Sequence, residues 1–92
     1  MLKVEKQFVL REIAGDYVII PVGENALEFN GMITANSSGA MMWEMLVAGT
    51  DEAALLNAML DKYEVSEEEA EKDIKEFLKP LLENNIILEI DN

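Results

Sequence analysis

The sequence contains neither cysteine nor histidine. The lack of cysteine excludes disulfides and thiolate nucleophiles, and the lack of both residues removes the usual zinc ligands. The lack of histidine also removes the side chain that most often serves as a general acid or base near neutral pH. Few catalytic options remain, and the sequence predicts no metal and no cofactor.

Basic residues are scarce. Seven lysines and arginines stand against 19 aspartates and glutamates, and the formal net charge is -12 at pH 7. Such a charge keeps a small domain soluble and repels polyanions such as nucleic acids and anionic lipids. We therefore expect the partners of the chain to be proteins or peptides, with no nucleic acid and no membrane.

Long apolar runs are also missing. No stretch approaches the roughly 20 apolar residues that a membrane-spanning helix needs, and the N-terminus lacks the basic-then-apolar pattern of a signal peptide. These absences predict a cytoplasmic protein. The 92 residues, 50% of them hydrophobic, suffice for one core. Without internal repeats or linkers, they predict a single domain over residues 1–92.

The most informative stretch runs from Leu27 to Trp43. Apolar and polar residues alternate from Leu27 to Ala35, which predicts a strand with one face on a core. Gly31 marks a bulge or a close backbone approach within it. Asn36 is a helix N-cap, so the strand turns directly into a helix. From Gly39 to Val47 only one residue is charged, which predicts a central, largely buried helix.

A hairpin precedes this strand. Met1–Gln7 is a polar lead-in, whereas Phe8–Ile13 and Asp16–Pro21 are rich in β-forming residues and flank Ala14-Gly15. Glycine can adopt the positive φ that a two-residue hairpin turn requires. Because two strands alone are marginal, we expect Leu27–Ala35 to complete a three-stranded antiparallel sheet.

A second helix follows the buried one. Gly49 ends the buried helix, and Thr50 or Asp51 caps the next. The apolar stripe of this second helix recurs at intervals of three and four residues, with the members Leu55, Leu56, Met59, Leu60 and Tyr63. It is predicted to pack on its predecessor.

A third helix begins at a capping box, Ser66–Glu69, and extends to about Asn84. Pro80 lies late in this helix and predicts a bend near residues 76–80, because proline clashes with the carbonyl group four residues earlier. Beyond the helix, Ile86–Ile90 is either a short strand or a tail docked on the core.

Three strands followed by three helices predict an α+β, winged helix-turn-helix-like domain. In DNA-binding proteins of this shape, the N-terminal residues of the second helix of the motif contact base edges in the major groove. Here those residues are acidic, namely Glu67, Glu68, Glu69 and Glu71. Repulsion between carboxylates and phosphates argues against DNA binding. We therefore expect the shape to serve another purpose.

An ordered series of short motifs resembles the PqqD family over nearly the whole chain. The motifs are Phe8-Val9-Leu10-Arg11-Glu12, Gly15-Asp16-Tyr17, Pro21-Val22-Gly23, Phe29-Asn30-Gly31-Met32-Ile33, Asn36-Ser37-Ser38-Gly39, Trp43-Glu44-Met45-Leu46, Tyr63 and Asp73 with Phe77-Leu78. The family is named for a protein of pyrroloquinoline quinone biosynthesis. The resemblance implies the fold called the RiPP recognition element, a non-catalytic peptide chaperone that binds the leader of a ribosomally made precursor peptide. It further implies delivery of that peptide to a modifying enzyme, often a radical S-adenosylmethionine maturase.

The resemblance also implies a leader-binding groove between the strand Leu27–Ala35 and the helix Glu67–Asn84. A leader would add to the strand edge as a further strand and place alternate side chains in the groove. The candidate peptide-binding residues are Leu27, Phe29, Gly31, Met32, Ile33, Thr34, Lys72, Ile74, Lys75, Leu78, Lys79 and Leu82. Of these, Met32, Leu78 and Leu82 are expected on the exposed side. For the apolar candidates in general, core packing is the ordinary alternative.

Lys72, Lys75 and Lys79 form a stripe on the third helix and make up three of the seven basic residues. Leaders in the family are often acidic, so the stripe predicts contact with an acidic leader. The ordinary alternative is a solvated face paired with glutamates four residues away, with about 0.2–0.5 kcal/mol per pair. The protein itself is expected to be a monomer or a weak homodimer.

Two other functional classes stay open. Ser37 or Ser38, at a helix start, could accept phosphopantetheine as in an acyl carrier, although three β segments and the lack of an Asp-Ser pair argue against a helical carrier. Asp16, Glu24 or Glu28 could act as acid and base in an enzyme, although isolated carboxylates without a second motif usually face solvent.

Overall fold

The computed structural model describes residues 1–4, 8–23 and 33–90 of the chain. Its elements, in chain order, are β1 (Leu2–Val4), β2 (Phe8–Ile13), β3 (Asp16–Pro21), β4 (Ile33–Ala35), α1 (Ser37–Ala48), α2 (Glu52–Lys62), α3 (Glu67–Glu83) and β5 (Ile87–Glu89). An antiparallel sheet of order β2-β3-β4 precedes the three helices, so the predicted α+β architecture is confirmed. Of the predicted strand Leu27–Ala35, residues 27–32 lie outside the described residues.

The hairpin of β2 and β3 has the predicted two-residue turn. Ile13 pairs with Asp16 across it, and Ala14 and Gly15 have φ angles of 52° and 88°. Positive φ at both central positions defines a type I′ turn, whose twist matches that of the flanking strands. The turn therefore fixes the register of the hairpin.

Side-chain caps set the starts of the three helices. Asn36, Asp51 and Ser66 each accept a hydrogen bond from the backbone N–H three residues later, at 2.9, 2.8 and 3.1 Å. All three were predicted from sequence, and the structure selects Asp51 over Thr50. Because Asn36 follows β4 directly, the edge of the sheet and the first turn of α1 are held next to each other.

The ends of α1 and α3 also follow the sequence closely. Gly49 terminates α1 with a φ of 97°, as expected of a glycine C-cap. α3 continues through Pro80 to Glu83, one residue short of the predicted end, and a bend at residues 76–80 stays a prediction.

The first residues form a strand, so the prediction of a polar lead-in is wrong for them. Leu2–Val4 pair antiparallel with β5 in a separate two-stranded sheet. Leu2 also exchanges backbone hydrogen bonds with Thr50, and its side chain is buried. The last segment is therefore a strand and not a docked tail. Such a short strand depends on its partner at the other end of the chain, which local pattern does not reveal.

The core lies where the helices meet the two sheets. Its buried members are Leu2, Phe8, Ile19, Met42, Trp43, Leu46, Leu55, Met59, Ala70, Ile74, Leu78, Leu81, Ile86 and Ile87. Phe8 meets Trp43 edge to face, with ring centroids 6.4 Å apart and an interplanar angle of 71°, a favourable aromatic geometry. α1 is central as predicted, although Val47 is 52% exposed. None of the helices in the described ranges has the length and apolarity needed to span a bilayer.

Candidate functional site

The outer edge of β4 is the first part of the candidate site. Among the described residues, β4 has β3 as its only strand partner. The unpaired edge of a strand presents N–H and C=O groups that another chain can use. Which of these groups point outward follows from the register of the sheet.

The hairpin turn determines this direction. Ile13 and Asp16 close a two-residue turn, and the closing pair of such a turn is hydrogen-bonded. Hydrogen-bonded and non-hydrogen-bonded pairs alternate along an antiparallel ladder. β3 therefore bonds to β2 through the main chains of Asp16, Val18 and Ile20, and to β4 through the residues between them. Pro21 fits this alternation, because it falls at a pair that is not hydrogen-bonded to β2.

Thr34 is the described residue of β4 whose main chain faces outward. Its neighbours Ile33 and Ala35 lie opposite Ile19 and Tyr17, the β3 residues that bond to β4. Because the direction of the main-chain groups alternates along a strand, the N–H and C=O of Thr34 point away from the sheet. Within the described part of the chain no strand pairs with these two groups, so an added strand can pair with them.

A groove of about 270 Å³ lies between this edge and α3. Residues 33–36 contribute one side, and Asp73, Glu76, Phe77 and Pro80 of α3 contribute the other. Asp73, Phe77 and Pro80 are spaced four and three residues apart and therefore share one face of the helix. The groove thus combines main-chain hydrogen-bonding groups, an aromatic ring and carboxylates.

Gly39 allows the close approach that shapes the groove. A Cβ atom at this position would lie 3.0 Å from the Cβ of Ala35 and 3.2 Å from Cε1 of Phe77. Both distances are shorter than an ordinary carbon–carbon contact. The first turn of α1, the end of β4 and the ring of Phe77 therefore meet at a distance that a side chain at residue 39 would force apart by a few tenths of an ångström.

The charged side chains that line the groove are both acidic. They are Asp73 and Glu76, and no lysine or arginine among the described residues lines it. A third carboxylate, that of Asp16, lines an adjoining hollow together with Thr34, Ala35 and Asn36. Within the described ranges, no three carboxylates come together in a way that could hold a metal ion.

The structure brings only part of the predicted site together. Ile33 and Thr34 line the groove, whereas Leu27, Phe29, Gly31 and Met32 lie outside the described residues. Glu24 and Glu28, considered above as acid or base, lie outside them as well.

The apolar candidates on α3 divide between core and surface. Ile74 and Leu78 are 3% and 2% exposed, whereas Leu82 is 42% exposed. The expectation of an exposed Leu78 is therefore wrong. Leu78 follows Ile74 by four residues and belongs to the same buried face, which also includes Ala70 and Leu81.

The three lysines do not line the groove. Lys75 lines a separate hollow of about 280 Å³ with residues of α2 and α3. At 3.6 residues per turn, the stripe of Lys72, Lys75 and Lys79 is centred roughly 130° around the helix from Asp73, Phe77 and Pro80. Capture of an acidic leader by these lysines stays a prediction.

Sequence reasoning did not single out the groove-lining residues of α3. Asp73 and Phe77 appear in one of the family-like motifs, and with Pro80 they share a helix face, so a signal was available. Glu76 gave no signal, because it is one acidic residue among many on this helix.

The serines considered for an acyl carrier have partners nearby. Ser38 donates a hydrogen bond to the side chain of Asn36 at 2.7 Å, and Ser37 accepts one from the hydroxyl of Tyr63 at 3.3 Å. Both belong to an α+β fold and not to a helical carrier.

Comparison with solved structures finds two that share this fold. One, "TbiB1 in Complex with the TbiA(beta) Leader Peptide", has a TM-score of 0.71 and 18% identity over 98% of this chain and 99% of the other. The second, "Lasso peptide synthetase B1 complexed with the leader peptide", has a TM-score of 0.70 and 20% identity over 96% and 98%.

The comparison with curated proteins gives no match. At the level of protein families, the model of "Coenzyme PQQ synthesis protein D (PqqD)" matches residues 6–87. This match spans most of the chain, including the sheet β2-β3-β4 and the three helices, and the chain therefore belongs to the PqqD family.

Proposed function

We propose that this protein is a non-catalytic recognition element that binds the leader of a ribosomally made precursor peptide and delivers it to a modifying enzyme. The observation that carries the proposal is the outward-facing main chain of Thr34 beside the groove lined by α3. Membership of the PqqD family supports it. So do the descriptions of the two structural neighbours, each of which names a bound leader peptide.

The leader is proposed to bind by strand addition. Its main chain pairs with the N–H and C=O of Thr34, and its alternate side chains enter the groove over Phe77 and Pro80. Main-chain pairing supplies affinity for any extended peptide, and the groove selects among side chains. Ile33 also lines this groove. The candidates Leu27, Phe29, Gly31 and Met32 lie outside the described residues, and their part in binding stays a prediction.

The enzyme that receives the peptide is proposed to be a radical S-adenosylmethionine maturase or another peptide-modifying enzyme. This part of the proposal rests on the family resemblance. The recognition element contributes binding and positioning, and the maturase contributes the chemistry.

Two proline variants on adjacent residues test strand addition. Thr34→Pro removes an outward N–H and leaves the ladder to β3 intact, whereas Ile33→Pro removes an N–H that bonds to β3. The probes are peptides selected from a random display library on the full chain. Thr34→Pro should weaken their binding about fivefold or more, since an unsatisfied hydrogen-bonding group costs roughly 1–3 kcal/mol.

Thr34→Val is the matched control, because it changes the side chain and keeps the N–H. It should bind the selected peptides nearly as well as the unmodified protein. Ile33→Pro should instead lower the thermal midpoint, followed by the fluorescence of the buried Trp43. If Thr34→Pro stays folded and binds these peptides with unchanged affinity, strand addition at this edge is wrong.

A further inference from the structure

We infer that the leader segment bound along α3 carries at least one lysine or arginine, two residues from an apolar side chain on the same face of the strand. This inference rests on the proposed function and names the chemical class of the peptide that the groove selects. The inferred leader segment carries the opposite charge to the acidic leader that the lysine stripe predicts.

The charges around the groove favour a basic peptide. Asp73 and Glu76 line the groove itself, and Asp16 lines the hollow next to Thr34. The neutral polar residues there, Asn36 and Ser38, offset none of this charge. A glutamate or aspartate of the leader would face like charges from α3 and from Asp16, which is unfavourable. A lysine or arginine would find an opposite charge within reach.

The apolar residues of the groove set the rest of the pattern. Phe77 and Pro80 follow Asp73 along the same helix face, and Met42 of α1 also lines the groove. A lysine or arginine suits this mixture, because its apolar stem packs on such surface while its charged end reaches a carboxylate. A cation above the ring of Phe77 would gain further from the ring electrons.

The spacing follows from the geometry of helix and strand. Asp73 and Phe77 are four residues apart on the helix, or roughly 6 Å along its axis. Two residues of a strand span roughly 6.6 Å and point their side chains to the same face. A basic residue beside Asp73 and an apolar residue beside Phe77 therefore fit a strand in which they are two positions apart.

The test uses the full chain and a library of random peptides long enough to form one strand. Peptides that bind the unmodified protein are selected first. Those that also bind the Thr34→Pro variant are then removed. This step keeps the peptides that need the edge of β4 and discards basic peptides attracted only by the net charge of -12. The composition of the remaining peptides is the first readout, and we expect an excess of lysine and arginine with an apolar residue two positions away.

The affinity of one selected peptide for charge variants is the second readout. Asp73→Asn with Glu76→Gln should weaken binding about 3- to 10-fold at low salt, since each exposed ion pair contributes only a fraction of a kcal/mol to about 1. The matched control, Glu71→Gln with Glu83→Gln, changes the charge of the same helix equally, and neither residue lines the groove. It should leave the affinity within about twofold. Replacing Lys72, Lys75 and Lys79 by glutamine should not weaken binding.

Each other outcome overturns a distinct statement. If Thr34-dependent peptides are recovered without an excess of basic residues, or with an acidic excess, the inference about charge is wrong and the proposed function stands. If the lysine variant weakens binding and the Asp73 and Glu76 variant does not, the inference of a basic leader is wrong and the prediction of an acidic leader takes its place. If no Thr34-dependent peptide is recovered, the proposed function is wrong, and the inference falls with it.

Discussion

Gly39 shows how one missing side chain shapes a site. The residue brings together the end of β4, the start of α1 and the ring of Phe77, within distances that no Cβ could share without displacement. The ring of Phe77 in turn lines the groove. If the leader binds in this groove as proposed, its recognition will depend on a residue whose own atoms are buried.

Gly39→Ala is predicted to lower both stability and peptide affinity. In an ordinary helix interior this change stabilises by up to about 1 kcal/mol. Here the added Cβ would lie 3.0 Å from the Cβ of Ala35, and the backbone that carries Ala35 must move. The thermal midpoint and the affinity for a selected peptide are the measurements. A rise in the midpoint, as for an unconstrained helix glycine, would contradict the prediction.

Individual residues were predictable from sequence where the cause is local. The caps at Asn36, Asp51 and Ser66 and the glycine C-cap at Gly49 depend on neighbours within a few positions, and all four agree with the structure. The prediction that Leu78 is exposed was wrong. On a helix with a broad apolar face, the boundary between buried and exposed residues depends on which other elements pack against the helix.

At the scale of elements, the hairpin sets the chemistry of the β4 edge. Its type I′ turn determines which β3 residues bond to β4, and therefore which β4 residue faces outward. The sequence alone predicted the turn but not the direction of the β4 main-chain groups. That direction requires counting alternate hydrogen-bonded residue pairs from β2 to β3 and then from β3 to β4. The pairing of β1 with β5 was missed for a related reason, since each strand is short and its partner is far away in the chain.

The hairpin also raises the pKa of a tyrosine. Glu12 lies opposite Tyr17, and its carboxylate raises the pKa of the phenol above the usual value of about 10, first by its negative charge and then as a hydrogen-bond partner. Because the folded-state pKa is raised, the associated stability is fully present below the unfolded pKa. It is lost as the pH rises through the folded pKa.

We expect Glu12→Gln to lower the pKa of Tyr17. Ultraviolet absorbance of the tyrosinate measures it, in a Tyr63→Phe background that leaves one tyrosine to titrate. Glu71→Gln on α3, which does not act on Tyr17, is the control with equal charge change. An unchanged titration midpoint in Glu12→Gln would show that the register pair does not control this phenol.

At the scale of the whole molecule, the fold has a winged-helix shape, but its charge is strongly negative and therefore repels nucleic acid. The first turn of α3 carries Glu67, Glu68 and Glu69, all exposed. The overall architecture was predictable because the order of strands and helices follows from hydrophobic periodicity and caps. Which charged residues of α3 line the groove was not predictable, because that depends on which face of the helix the sheet edge approaches.

The protein is predicted to show no specific DNA or RNA binding. Phosphates near the start of α3 would face carboxylates, and the net charge of -12 opposes counterion release as a driving force. Fluorescence anisotropy with labelled duplexes at physiological salt checks this. A variant with Glu67, Glu68 and Glu69 changed to lysine shows that the assay detects weak binding. A complex of micromolar affinity with the unmodified protein would contradict the prediction.

Because the main chain of Thr34 faces outward, recognition depends on whether two leader residues are an odd or an even number of positions apart. Only every second residue of an added strand can bond to this edge, and consecutive residues of that strand turn their side chains to opposite faces. A leader that gains or loses one residue between its basic and apolar contacts would present one of them to solvent. We therefore expect precursor peptides bound at this edge to keep the number of residues between these two contacts, even where their lengths differ elsewhere.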